Sequence, residues 1–449
     1  MTTEAHPAAS GDLWERFLSR ENLAAALRRV EQNAGAPGVD GMQTTELRSW
    51  LHDHWPEVRA ALDAGTHRPQ PTRRVTIPKP SGGERELGVP TALDRVIQQA
   101  LSQVLVPVFD PGFSERSFGF RPGRSAHDAI RRAQRDIAEG HEWAVDLDLD
   151  RFFDRVQHDA LMARVARRVT DKRVLKLIRS YLEAGVMADG VRQPSEEGTP
   201  QGSPLSPLLS NVYLDDLDRM LTQRGHRFVR YADDITIYVR SRRAAERVMG
   251  STGEFIERRL KLRVNRGKSS IASAFRATLL GFGFLKRKGE IEIRIDPKAR
   301  RRAKDRLRKI TSRRRGVSME RRIREANRFT VGWTAYFALA DTPYPLLELD
   351  EWLRRRLRQV RWKEWKRIRT KHRNLAATGI PDDKAWEWAN SRLGYWRIAR
   401  SWVLTRSLTN AYWREQGLRG FTDPYRRFRD ATRTAGCGPA RPVVWEGRG

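Results

Sequence analysis

The stretch Arg230-Tyr-Ala-Asp-Asp-Ile-Thr-Ile-Tyr-Val239 sets two aspartates side by side, followed by an alternating apolar run. Adjacent carboxylates repel unless a solvated turn or a cation relieves them. The alternation after them is that of a strand, so Asp233 and Asp234 fall where the pattern breaks, at the tip of a strand–turn–strand unit. A second segment shows the same period. In EWAVDLDLDRFF (142–153), Val145, Leu147 and Leu149 occupy one face and Asp146, Asp148 and Asp150 the other. If the two strands share a sheet, carboxylates from both converge. A bare Tyr-x-Asp-Asp is most simply a polar turn, because Asp is common in turns. Clustered carboxylates in a basic chain gain a different meaning if they hold divalent cations, and magnesium suits hard oxygen ligands completed by water and phosphates. Two such ions stabilise the attacking and leaving oxygens of an in-line displacement at phosphorus.

The chain is strongly basic. Its 449 residues contain 86 Lys and Arg against 55 Asp and Glu, so 86 − 55 leaves +31, with a pI near 11.1. That balance points to a polyanionic partner, nucleic acid first and an anionic membrane surface second. The length predicts about two to four domains. Hydrophobic residues at 39% and 14 tryptophans are enough for packed cores. No apolar run is long enough to span a bilayer. The single cysteine, Cys437, excludes an intramolecular disulfide and a cysteine-rich zinc site. The N-terminal dozen residues lack the apolar core of a signal peptide, so a cytoplasmic protein is expected.

Along the chain, apolar spacing predicts helices over 12–30, 91–108, 158–184 and 242–260. NAGAPGVDG (33–41) is a shaped turn-rich loop, and RRVTIPKPSGGEREL (73–87) predicts two strands about a Gly-Gly turn. Ser125 followed by Asp128 resembles a capping box. GTPQGSPLSPLLSNVYLDDLDRML (198–221) runs from a loop into a helix, and two short strands fit 270–295. Composition shifts near residue 297. Residues 298–328 hold 15 Lys or Arg against 3 Asp or Glu, and residues 354–373 hold 11 against one. These basic stretches look helical and carry tryptophans, which fit either a helical core or stacking on unpaired bases.

With these segments in order, the sequence resembles the reverse transcriptases encoded by group II introns over roughly residues 15–420. The resemblance rests on NAGAPGVDG, IPKPSGGERELGVPT (77–91), FSERSFGFRPGRSAHDAI (113–130), DLDLDRFFDRVQHDAL, the TPQG loop and helix, YADD, LRVNRGKS (262–269) and LLGFGF (279–284). It implies an α+β right-hand polymerase, fingers and palm built on antiparallel sheet, then a mostly helical thumb or maturase domain and a small DNA-binding region. The corresponding boundaries are 1–12 (flexible tail), 13–296 (reverse transcriptase), 297–380 (thumb/maturase), 381–430 (DNA-binding) and 431–449 (flexible tail).

The resemblance also implies roles. Asp148, Asp233 and Asp234 would be catalytic and would hold two magnesium ions. The choice of Asp148 over Asp146 and Asp150 rests on the family's spacing to Phe153. Phe153 would pack against the sugar and exclude a 2′-hydroxyl. Lys79 and Arg85 would meet the triphosphate, Pro200, Gln201 and Gly202 would line the nucleotide pocket, and Lys268 would add a cation. Leu280, Gly281 and Phe282 would form the primer grip. Implied partners are a group II intron RNA, an RNA template with a DNA primer, target DNA and deoxynucleoside triphosphates, without a membrane. The activity implied is RNA-directed DNA synthesis with assistance to splicing and to intron mobility, primed at the target or by a nascent strand. The lack of a C-terminal endonuclease pattern resembles the endonuclease-lacking class C type. Alternatives are a domesticated or CRISPR-associated reverse transcriptase without an intron, and a splicing factor with an inactive polymerase core.

Overall fold

The computed structural model describes residues 12–78, 84–188, 191–193, 197–199 and 201–434. The chain divides into two compact units, Met1–Ser273 and Ala274–Gly449.

The first unit opens with two helices, Asp12–Leu18 and Arg20–Asn33, where periodicity predicts one. Ser19 makes the break. Its backbone is extended, and its hydroxyl accepts from the Asn22 amide as an N-cap. Asn22 then donates to the carbonyls of Phe17 and Ala100, tying the elbow to helix Ala92–Phe109. The predicted helix over 158–184 is likewise two, His158–Ala166 and Lys172–Glu183. Asp171 caps the second by accepting from Arg173 and Val174. A hydrophobic period alone does not register such breaks, because the apolar faces continue across them. The capping box at Ser125 and Asp128 is present in both halves.

The strands are β1 (Thr72–Pro78), β2 (Glu84–Val89), β3 (Trp143–Leu147), β4 (Val186–Ala188), β5 (Val191–Gln193), β6 (Arg227–Tyr231), β7 (Asp234–Val239), β8 (Ser270–Ser273), β9 (Phe282–Arg287) and β10 (Glu290–Ile295). β1 and β2 form the antiparallel pair expected over 73–87, with Arg73 opposite Val89, in a sheet of order β2-β1-β4-β5. Three-residue strands such as β4 and β5 are too short to show a period. The second sheet has the order β6-β7-β3-β8, antiparallel throughout. β3 stops at Leu147, earlier than the alternation suggests. Leu149 forms only an isolated bridge to Val264, and Arg151 turns the chain with φ 47° into a short 3-10 turn, Phe152–Asp154. Helix Ser206–Gln223 is buried on most of its surface, and the core around it includes Leu147, Phe152, Tyr213, Leu217, Phe228 and Ile237.

The second unit begins with the β9–β10 hairpin and continues with nine helices among the described residues, from Pro297–Ile310 to Thr422–Thr434. Helix Pro297–Ile310 buries Ala299, Ala303, Leu307 and Ile310 and exposes Arg301, Arg302, Arg306 and Arg308. The tryptophans divide between both expected uses. Trp333, Trp362 and Trp413 are buried, whereas Trp386, Trp396 and Trp402 are exposed. Asp350 pins the last helix by accepting from the amides of Phe421 and Thr422.

Candidate active site

The sheet register brings the sequence-predicted carboxylates to one edge. Leu147 pairs with Ile235 and Asp146 with Thr236. Continued by one position, the antiparallel ladder sets Asp148 opposite Asp234, and opposed residues project on the same face. The neighbouring pair shows that face directly, since the Thr236 hydroxyl donates to Asp146 at 2.7 Å. Burial raises the Asp146 carboxyl above its usual value, and the Thr236 hydrogen bond opposes this. Asp233 occupies the two-residue turn with Ala232, between Tyr231 and Asp234.

That turn is conformationally costly. Ala232 has φ 59°, a region that costs a residue with a side chain roughly 1–2 kcal/mol. A buried network holds it. The Arg230 side chain is fully buried; it donates to Asp218 at 2.7 and 2.5 Å, to Asn211 at 2.9 Å and to the Ala232 carbonyl at 3.0 Å. Asn211 donates onward to the Gly119 carbonyl. Gly119 lies so close to the turn that a Cβ there would collide with the Ala232 amide nitrogen. Phe118 and Arg230 are joined through the backbone, and Arg116 joins Asp136 and the Phe228 carbonyl. The FGF segment at 118–120 is therefore packed against the back of the turn.

Asp148 is held from the other side. Its amide donates to Ser269 at 3.1 Å and its carbonyl accepts from Asn265. Lys268 brings its ammonium within 3.9 Å of the Asp148 carboxylate. Phe153 is half-buried against Phe152, and its carbonyl accepts from the Thr199 amide at 2.6 Å. Gly198, at φ 97°, permits that approach, because a Cβ would lie 3.0 Å from the Phe153 oxygen. The Gln201 carbonyl accepts from Gly88 of β2, which fastens the loop to the strand carrying Arg85. Lys79, Pro200 and the Arg85 side chain lie outside the described residues.

In the second unit, Leu280 and Gly281 turn the chain with φ 51° and 82°. Tyr336 donates to the Leu280 carbonyl, and Phe282 packs against Tyr336 and Phe337.

As to a metal, no group of three His, Cys, Asp or Glu is gathered among the described residues. Asp148 and Asp234 on one face with Asp233 beside them still fit magnesium, which takes one or two carboxylates and completes its shell with water and phosphate oxygens. The supporting residues Arg230, Asp218, Asn211 and Gly119 were not singled out from the sequence. One signal was available: Asp218 falls among Leu214, Leu217 and Leu221 on an apolar helix face, where a carboxylate requires a buried partner.

The chain matches the family model for reverse transcriptase (RNA-dependent DNA polymerase) over residues 77–288, and that for the group II intron maturase-specific domain over residues 300–379. It belongs to the reverse transcriptases, in the group that carries this maturase domain. It is 34% identical over 291 residues to protein YkfC of Escherichia coli K12, covering 56% of this chain and 76% of YkfC. It is 33% identical over 217 residues to the group II intron-encoded protein LtrA of Lactococcus lactis subsp. cremoris, covering 48% of this chain and 36% of LtrA. A 91 kDa protein in the cob intron of Schizosaccharomyces pombe is 33% identical over 211 residues, covering 47% of this chain and 26% of that protein. Among the described residues no helix is long and apolar enough to cross a membrane.

Proposed function

We propose that the chain is the RNA-directed DNA polymerase of a group II intron, acting in the cytoplasm, and that it also assists excision of the intron RNA and its insertion into target DNA. The observation that supports this reading is the β3–β7 register, whose last pair, Leu147 with Ile235, is followed by Asp148 on one strand and preceded by Asp234 and the Ala232–Asp233 turn on the other. In this reading Asp148, Asp233 and Asp234 hold two magnesium ions. Bound there, the ions supply neutralisation of the charge that develops as a primer 3′-hydroxyl displaces pyrophosphate from a deoxynucleoside triphosphate.

The chain's own residues position the reactants. Lys268 lies close enough to Asp148 to fix that carboxylate and to face a phosphate. Lys79 and Arg85 bind the triphosphate. Phe153, its backbone held by Thr199, is the wall against the sugar, and Gln201 borders the same pocket. Leu280, Gly281 and Phe282 hold the primer strand. The basic faces of helices Pro297–Ile310 and Tyr344–Glu364 take intron RNA through its phosphates, and residues 381–430 take target DNA.

The test is primer extension on an RNA template with magnesium and deoxynucleoside triphosphates, beside excision of an intron RNA at low magnesium. DNA product from the wild type and none from Asp233→Ala is the expected result. Absence of product from the wild type overturns the polymerase reading, and unchanged excision with and without protein overturns the splicing role.

A further inference from the structure

The end of the β6-β7-β3-β8 sheet opposite the aspartates is also charged, with the other sign. β6 begins at Arg227, β7 ends at Val239 and β3 begins at Trp143, so antiparallel pairing places all three at one end. There, between the strand ends and helix Arg242–Arg259, lies an open cavity of about 590 Å³. Its basic side chains are the four arginines Arg224, Arg227, Arg240 and Arg247, with His141 and His226 beside them. Among the described residues no carboxylate lines it, and Glu139 reaches only Arg227, at 3.4 Å. Arg224, Arg240 and Arg247 form no ion pair with any described residue. On the same helix Arg242 pairs with Glu246 and Arg258 with Glu254, whereas Arg243 and Arg259, like Arg247, pair with no described residue.

Arg224, Arg240 and Arg247 are exposed at the rim, and two further details describe the cavity. The exposed Arg240 guanidinium lies over Gly140, 3.6 Å from where a Cβ there would be. His226 is held below its ordinary pKa by burial and then by Arg224, so the cavity already resists another positive charge. Cations gathered in a concave surface focus a positive potential that an anion relieves. Guanidinium groups match phosphate oxygens through paired N–H donors.

We propose that this cavity is a phosphate-binding site, separate from the catalytic edge, that takes either a phosphodiester of a nucleic-acid strand or the phosphate of a free small molecule. It does not depend on the polymerase reading, since none of its residues belongs to the proposed catalytic machinery.

The test uses the full chain and two double variants of equal charge change. Arg240→Glu/Arg247→Glu alters the cavity, and Arg258→Glu/Arg259→Glu alters the exposed far end of the same helix. One arm titrates inorganic phosphate by calorimetry. The other follows anisotropy of a labelled 20-nucleotide RNA across a salt series. Weaker phosphate binding in the cavity variant alone, by about tenfold or more, with RNA binding equal in both, assigns a free phosphate compound. An RNA affinity lower by about tenfold and a salt slope smaller by about two in the cavity variant alone assign a strand backbone. If neither arm separates the two variants, the proposal is overturned. Primer extension on a pre-annealed template at saturating concentration should be unchanged in the cavity variant. Failure of extension in the wild type would instead count against the polymerase reading and leave the binding arms informative.

Discussion

The two ends of one four-stranded sheet are built on opposite plans. At the acidic end, like charges are brought together by strand register, and the network behind the turn is hydrogen-bonded and largely buried: Arg230 with Asp218, Asn211 with Gly119, Thr236 with Asp146. At the basic end, the cations come from strand termini, a loop and a helix, and three of them lack an ion pair among the described residues. The difference teaches how to tell a chemical site from a binding site. Reaction geometry needs over-determined positions, whereas capture of a phosphate needs mainly sign and concavity.

The comparison can be broken most severely at the turn itself. Asp233→Ala should lower DNA synthesis by roughly a thousandfold or more, as expected for losing several kcal/mol of transition-state stabilisation. RNA binding, measured by filter retention, should stay within about twofold. Equal loss of both would make the turn a structural element and remove the contrast.

Next in size is the buried support. Arg230→Met leaves Asp218 as an uncompensated buried charge and should cost about 3–5 kcal/mol in denaturant unfolding. Adding Asp218→Leu should restore much of that stability. The double variant still lacks the donor to the Ala232 carbonyl, so its kcat should remain low while KM for nucleotide changes little. Recovery of kcat along with stability would mean that the network holds the core and not the turn.

A smaller effect is expected from Gly119→Ala, whose methyl would press on the Ala232 backbone. Overpacking of this kind costs about 1–3 kcal/mol, and here it should show as a kcat loss of roughly ten- to a hundredfold. Normal kcat would show that the turn does not depend on the FGF segment.

The smallest effect belongs to the basic end. His226 is depressed below its ordinary value of 6.5 by burial and by Arg224; Arg227 and Tyr238 face it from the strands, Arg240 from the loop, Arg247 from the helix and His141 from ahead of β3. A bound anion opposes the Arg224 repulsion and favours the charged imidazole, so binding is accompanied by proton uptake at His226. Affinity for sulfate, whose charge is constant in this range, should therefore rise by about threefold as pH falls from 8 to 6. Calorimetry at the two pH values reads this, and a flat profile would separate His226 from anion binding.

Much of the acidic end was legible in the sequence because it is written in local patterns. The period-two runs located β3 and β7, the broken pattern located the turn, and the motif order named the carboxylates. Motif position implied only that Lys268 adds a cation near the site; its ammonium lies 3.9 Å from the Asp148 carboxylate. What the sequence withheld is non-local. Arg230, Asp218, Asn211 and Gly119 meet across more than a hundred residues, and a lone arginine among 86 basic residues carries no mark of burial. The helix breaks at Ser19 and Asp171 were hidden because capping chemistry interrupts a helix without interrupting its apolar face. The basic end was invisible for a related reason. Its residues lie at 141, 224–227, 240 and 247, and only antiparallel pairing collects them.

The ladder that joins β3 to β7 also limits how such a chain can diverge. Side-chain direction in a strand has only two values, so inserting or deleting one residue between Trp143 and Asp148, or between Asp234 and Val239, would send one carboxylate to the opposite face. No compensating substitution elsewhere restores it. Residue identity in these strands can therefore drift wherever packing allows, while their lengths are fixed in whole steps. Over evolutionary time this sheet should accept many replacements and almost no insertions or deletions there, with length variation pushed into the loops beyond it.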